Sequence, residues 1–347
     1  MNRPLRVAVV GCGDISVVHL DAIVQAPEAE LVGVSDTDQG RREAAAAAHG
    51  VVGYADHLEL FAQVRPDVVH VCTPHAEHAQ VAVDALERGI HVLTEKPLAA
   101  TREDGTRMAE AAARSTAQLG VCFQNRYNTA VRRAKEILDS GELGDVHGAR
   151  ASVLWHRAAP YYRSRPWRGT WAGSGGGLLM NQAIHTVDLL QWLVGDVAAV
   201  TGSVATRVLG DVIEVEDTAE MVLEHASGAR SVLFATLAHI ENAPVEIEVV
   251  AENGRLLIRG DLVVTRADGS TEHVVEDAMG SGDRAYWGGA HVRLIHDFYR
   301  SLDGPVPFWI DAFEAQKSLE IIQDVYEQSY PERFAPSPAP AEWSTTS

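Results

Sequence analysis

The stretch 175-GGGLLMNQAIHTVDLLQWL-193 runs three glycines into a helical pattern that carries an amide, an imidazole, a carboxylate and an indole. Asn181, His185, Asp188 and Trp192 are spaced four, three and four residues apart, which places them on one helical stripe. Ile184, Val187 and the leucines cover most of the remaining circumference, so the helix reads as largely buried and its polar groups need partners. Such a stripe is either a satisfied structural network or the lining of an active site, where an imidazole can exchange a proton.

A second constellation could hold a dinucleotide. The residues 11-GCGDIS-16 lie directly between an apolar run and a helical pattern. Gly11 permits a tight turn, and Gly13 lets backbone N–H groups approach a pyrophosphate at the helix N-terminus. The candidate cradle is therefore Gly11, Cys12, Gly13, Asp14 and Ile15, with Ser16 at the third small position. Asp36 ends the second apolar run, 23 residues after Gly13. A carboxylate there hydrogen-bonds a ribose diol and repels a 2′-phosphate, which predicts NAD; the nearby Arg41 and Arg42 leave NADP open. A purely structural turn is the competing reading.

A third segment, 155-WHRAAPYYRSRPWRGTW-171, is dense in aromatic and basic residues. Indole and phenol faces stack on the apolar face of a pyranose or cyclitol ring, and Arg holds hydroxyls, carboxylates or phosphates. Trp155 and Tyr161 are the substrate candidates there, against the plain reading of an aromatic loop packed on its own domain. Arg126 in 124-QNRY-127 is a further candidate, and Tyr286 and His291 are weaker ones. His75 and His78 flank Glu77, but no third ligand is apparent and no metal is expected.

These groups must be positioned by two kinds of architecture. The first third alternates short apolar runs with helical patterns, as a parallel doubly wound α/β sheet does. After about Asn125 longer alternating strands appear, flanking turns such as 252-ENG-254 and 267-ADGST-271. The expected division is a Rossmann domain over 1–124 and an α+β domain with a large, mostly antiparallel sheet over 125–330. A proline- and serine-rich tail, 331–347, is expected to be disordered, and the last helix is expected to pack back on the first domain. The 347 residues are 46% hydrophobic and 22% charged, with 29 Lys+Arg against 48 Asp+Glu. A net charge of −19 argues against nucleic acid or anionic membrane as partners. No apolar run reaches membrane-spanning length and the start reads as a strand, which predicts a cytoplasmic protein. Three scattered cysteines suit small buried hydrophobes. The open sheet predicts a homodimer or homotetramer through its exposed face.

In order along the chain, 11-GCGDIS-16, 72-CTPHAEH-78, 94-TEKPLA-99 and 175-GGGLLMNQAIH-185 resemble the Gfo/Idh/MocA oxidoreductases (glucose–fructose oxidoreductase, inositol dehydrogenase, rhizopine catabolism). The resemblance implies that Lys96 sits in the catalytic site at the substrate hydroxyl and that Glu95 positions the cofactor. It places Thr73, Pro74, His75 and His78 in the loop under the cofactor, and Trp167 and Arg168 at its nicotinamide end. His185 matches the histidine that acts at the substrate hydroxyl. Four positions before it, where the commonest pattern has an acid, stands Asn181, which can orient a neutral ring but cannot stabilise an imidazolium as a carboxylate would. Asp188 is the alternative source of charge. The glycines would let backbone pass close to cofactor or sugar. The expected reaction is hydride transfer between NAD and a secondary hydroxyl of a sugar, sugar derivative or cyclitol, with His185 as base and Lys96 lowering the hydroxyl pKa. Rival readings are an NAD-dependent glycosidase using transient oxidation, a non-catalytic dinucleotide-sensing regulator, and a tightly held NADP that passes hydride between two sugars.

Overall fold

The computed structural model describes residues 3–277 and 289–334; the candidate Tyr286 and residues 335–347 of the expected tail lie outside them, while the first four residues of that tail, 331–334, form a helix where disorder was expected. The first half runs β1 (Leu5–Val10), α1 (Ser16–Gln25), β2 (Ala29–Ser35), α2 (Gln39–His49), β3 (Gly53–Tyr54), α3 (His57–Val64), β4 (Val68–Val71), α4 (His78–Leu86), β5 (His91–Glu95), α5 (Arg102–Arg114) and β6 (Leu119–Cys122). The strands form one parallel sheet in the order β3-β2-β1-β4-β5-β6. Strands β4 and β6 are buried at every residue, which is why they read as continuous apolar runs. Sheet order reverses between β1 and β4, so a crevice opens at their carboxyl ends.

The second half runs α6 (Thr129–Asp139), β7 (Val146–Leu154), α7 (Ala159–Arg163), α8 (Trp171–Ser174), α9 (Ile184–Val194), β8 (Val197–Ala205), β9 (Thr218–His225), β10 (Arg230–Thr236), β11 (Glu246–Ala251), β12 (Gly254–Arg259), β13 (Asp261–Arg266) and β14 (Thr271–Val274). Helices α10 (Gly289–Leu302), α11 (Ala312–Ser329) and α12 (Pro331–Phe334) close the described chain. The eight strands pair in the order β14-β13-β12-β11-β7-β10-β9-β8, antiparallel except where β10 meets β7. On β9 and β10 buried and exposed residues alternate, so one face packs inward while Val222, Val232 and Phe234 stand on the other. Val250 of β11 shares that outer face through its register with β7.

Helices α6 and α9 cover the inner face of the large sheet. The last helices return to the first half: α10 packs on α1, and α11 on α5 and β8. Arg102 of α5 reaches Glu320, Asp324 (2.7 Å) and Glu327 (3.1 Å) of α11. Among the described residues, no helix is long and apolar enough to cross a membrane.

Candidate active site

The crevice continues into one cleft of about 1330 Å³ lined by both halves of the chain. At its dinucleotide end, Gly11 has φ +93°, and a Cβ on it would lie 2.6 Å from the backbone of Cys72. A Cβ on Gly13 would meet no atom within 4 Å, so this backbone faces open cleft. Ser16 Oγ donates to the Gly13 carbonyl (2.7 Å) and closes the turn, which accounts for a serine at the third position. No side chain caps the N-terminus of α1, so its first N–H groups have no side-chain acceptor. Asp36 accepts from the backbone N–H of Cys12 (2.8 Å) and of Asp38 (2.8 Å), and Arg41 pairs with it at 3.4 Å. These residues fit a dinucleotide: an open glycine turn, an uncapped helix start and a held carboxylate follow one another along the cleft.

Arg165 and Arg168 cross from the second half to the glycine turn, where both pair with Asp14 (3.0 and 3.1 Å). Burial pulls the Asp14 carboxyl up, but the two guanidinium groups hold it below its ordinary range. His75 and His78 are buried beneath the cleft, bonded to the carbonyls of Ser174 (2.9 Å) and Pro97 (2.8 Å), and burial keeps both neutral by lowering their pKa. The edge of the Trp167 ring meets His75.

Where β5 ends, Glu95 and Lys96 precede a cis Lys96–Pro97 peptide. Lys96 Nζ donates to the backbone carbonyl of Asn181 (2.7 Å). Burial brings the Lys96 pKa down to about 8, against the opposing pull of Glu95. Behind it lies a chain of fully buried groups: Glu95 to His19 (2.9 Å), His19 to His70 (2.8 Å), and His70 to the Tyr299 hydroxyl (2.8 Å). His291 stands 3.6 Å from the same carboxylate. Burial opposes ionisation of Glu95, but its histidine partners hold it well below the ordinary range, so Glu95 is a carboxylate.

His185 lines the same cleft as Lys96, and burial followed by the charge of Lys96 lowers its pKa well below the ordinary value. Gln124 Nε2 lies 3.4 Å from His185 Nε2, an orientation that makes Nε2 the acceptor and puts the ring proton on Nδ1. His185 Nδ1, Asn181 Nδ2, Gln124 Oε1, Gln182 Oε1 and Thr73 Oγ1 are all buried without a partner, and all five residues line the cleft. Orphaned polar atoms lining the cleft that also holds Lys96 are what a bound polyhydroxylated molecule would satisfy.

Several expectations need correction. The polar stripe divides after His185. Asp188 turns away to a fork with the buried Arg126 (2.6 and 2.8 Å), whose Nη1 also pairs with Glu314 (2.9 Å). Arg126 is thus a structural cation outside the cleft lining, and Asp188 lends no charge to His185. Trp192 packs over Arg126 (5.3 Å). Asn181 does not hold the imidazole; Gln124 does. The glycines face protein rather than ligand, because a Cβ on Gly175, Gly176 or Gly177 would overlap Ala100, Tyr326 or Glu216. Cys12 contributes its backbone N–H to Asp36 and does not line the cleft. Trp155 and Tyr161 line it as expected, with Gln182 Nε2 donating to the Tyr161 hydroxyl (3.2 Å). Gln124, Gln182 and His19 escaped the sequence reading. Gln124 adjoins Arg126 in a motif already singled out, whereas His19 gives no signal inside an apolar helix.

Comparison with known proteins agrees with this geometry. Residues 5–123 match the oxidoreductase family with an NAD-binding Rossmann fold, and residues 131–257 match the GFO/IDH/MocA C-terminal domain. The WlbA dehydrogenase of Chromobacterium violaceum, whose structure holds NADH and UDP-GlcNAcA, superimposes with a TM-score of 0.84 at 32% identity, covering 96% of this chain and 95% of that one. D-glucoside 3-dehydrogenase of Escherichia coli K12 is 30% identical over 199 residues, 56% of this chain and 55% of its own, so the chain matches only about half its length. Inositol 2-dehydrogenase 4 of Saccharopolyspora erythraea is 29% identical over 90% of this chain and 87% of its own.

Proposed function

Since the chain belongs to the GFO/IDH/MocA oxidoreductase family, we propose that it is an NAD-dependent dehydrogenase of a secondary hydroxyl on a sugar, sugar derivative or cyclitol. The observation that carries this reading is the set of five unpartnered polar atoms on residues that line the same cleft as Lys96 and the open glycine turn. The turn at Gly11–Ile15 would hold the pyrophosphate and Asp36 the ribose, with Arg41 already engaged by Asp36 and so less free for a 2′-phosphate. When bound, the nicotinamide supplies the acceptor or donor of hydride.

The chain itself moves the proton. A base works best with a pKa near the working pH, and Lys96 at about 8 meets that condition better than His185. Lys96 is therefore assigned as acceptor of the hydroxyl proton, reversing the roles expected from sequence. Its donation to the Asn181 carbonyl aims the amine, and Glu95 keeps an opposite charge behind it. Neutral His185 then donates from Nδ1 to the same substrate oxygen, which offsets negative charge as the proton leaves. A dimer or tetramer through the outer face of the large sheet completes the proposal, supported by exposed Val222, Val232, Phe234 and Val250.

The test is to incubate the purified protein with NAD and a panel of free sugars, cyclitols, uronates and nucleotide sugars. Net NADH formation with at least one is expected. Glycoside cleavage without net NADH would instead place the protein among glycosidases that oxidise transiently, and NADH binding with no turnover would favour a sensor.

A further inference from the structure

Among the described residues, five arginines line the cleft. Four have a carboxylate within reach: Arg41 has Asp36 (3.4 Å), Arg165 and Arg168 share Asp14 (3.0 and 3.1 Å), and Arg293 has Glu276 (3.9 Å). Arg157 is the exception, with no ion pair to any described residue. Its Nη1 donates to the His156 carbonyl (2.7 Å) and to Asn242 Oδ1 (2.9 Å), and its Nε is buried without a partner. The guanidinium lies against two rings, 5.1 Å from the centre of Trp155 and 5.2 Å from that of Tyr161, so its position is fixed before anything binds. A half-buried cation held this way has lost part of its hydration and gained no counter-charge.

Three further acidic side chains of the cleft are engaged elsewhere. Asp261 accepts from His273 (3.0 Å) and the Glu276 N–H (2.9 Å); Glu276 accepts from the N–H groups of Thr129 and Ala130 (3.1 and 2.8 Å); Asp277 accepts from the Thr129 hydroxyl (2.9 Å). In a protein of net charge −19, an anionic molecule is repelled in general and needs a local reason to enter.

We propose that Arg157, braced by Asn242, Trp155 and Tyr161, is an oxyanion subsite, so that the substrate is a sugar carrying a carboxylate or phosphate away from the reacting carbon. The inference rests on the dehydrogenase reading and names its substrate class. The placement follows from the wall of the cleft. Lys96 bonds the carbonyl of Asn181, Gln182 follows in the chain and bonds the Tyr161 hydroxyl, and Arg157 lies against the Tyr161 ring. With its reacting hydroxyl at Lys96 and His185, a sugar spans Gln182 and presents its far substituent to Arg157. Arg168 lies against Tyr161 as well (4.5 Å), but it is already paired with Asp14 near the glycine turn. Arg157 thus serves the substrate end of the cleft and Arg168 the cofactor end. A guanidinium suits both carboxylate and phosphate, so Arg157 recognises the oxyanion they share.

Matched probes separate the two sources: glucose, glucuronate, glucose 6-phosphate, glucose 1-phosphate, and UDP-glucose with UDP-glucuronate. Each is offered with NAD to the full-length protein, to Arg157→Gln and to Arg157→Lys, and kcat/KM is read from NADH formation. At least one anionic sugar should exceed its neutral counterpart by tenfold or more. Arg157→Gln should lower that anionic-to-neutral ratio at least tenfold, mainly through KM, and Arg157→Lys should restore part of it. Whether a uronate or a phosphate responds identifies the anion. If no anionic probe is used better than its counterpart lacking that anion, or if the ratio is unchanged in Arg157→Gln, the subsite is overturned. Should no probe be oxidised, the dehydrogenase reading fails for this panel, and calorimetry on the NADH-loaded protein then decides the subsite alone. Binding of an anionic probe that is lost in Arg157→Gln supports it, and no binding by any anionic probe refutes it.

Discussion

Lys96 gives up its proton more readily than a lysine in water, because the buried end of β5 solvates an ammonium poorly. A base must be unprotonated to act, so alcohol oxidation should rise with pH and level off above about 8, where Lys96 has lost its proton. Lys96→Ala should lower kcat by roughly 10²–10⁴-fold and remove that rise while leaving NADH binding in titration nearly intact. A rise near the same pH surviving in Lys96→Ala would place the base elsewhere. At this scale the sequence was half legible. A lysine at a strand end and a histidine on an apolar helix announce themselves by type and position. Their partners do not. Asp188 sits within helical reach of His185, yet a guanidinium that can be gripped by two oxygens at once outcompetes one imidazole, and only the fold brings Arg126 there.

The glycines that introduce α9 show why elements are harder to read than residues. Glycine is needed wherever a Cβ would collide, and the sequence does not say whether it would meet a ligand or the chain. Gly175 has φ +70° and packs on the backbone of Ala100, whereas Gly13 faces the open cleft. Gly175→Ala should therefore destabilise the protein by about 1–3 kcal/mol, the usual penalty for forcing a methyl into packed surroundings. Gly13→Ala should leave the denaturation midpoint unchanged and weaken NADH binding instead. Equal midpoints for the two variants, with equal NADH affinities, would show that the contrast between them has been misread. Strands β7 and β8 and helix α3 were not anticipated. In β7, Gly148 and the exposed His147 and Arg150 interrupt the alternation, and the strand takes its place only by pairing with β10 and β11 on either side.

For the whole molecule, the parallel sheet was legible because five of its strands are short apolar runs between helices; the sixth, β3, is only Gly53–Tyr54 at the sheet edge and gives no such signal. The large sheet was legible in its hairpins but not in its centre, where the β7–β10 pair joins residues about 80 positions apart. Its outer face sets Val222, Val232 and Phe234 beside a charged ladder in which Glu248 is gripped by Arg150 (2.6 Å) and Arg255 (2.7 Å). An apolar patch rimmed by charge suits a second copy of the same face. Light scattering on the purified protein should give the mass of a dimer or tetramer, and the pair Val232→Glu with Phe234→Glu should give a monomer with an unchanged circular dichroism spectrum. A monomeric parent protein would remove this face from the proposal.

One contact links the end of the chain to the turn before α9. Glu216 accepts from the N–H groups of Gly177 and Leu179 (both 2.8 Å) and from the Tyr326 hydroxyl (2.8 Å), so α11 braces the segment that leads to Asn181 and His185. During synthesis the chain emerges from its beginning, and early domains fold as they appear. The glycine turn, Lys96 and His185 all leave the ribosome well before Tyr326. A nascent chain therefore carries every reacting side chain for a time without the strut that sets their spacing, and the cleft is completed only once α11 has docked.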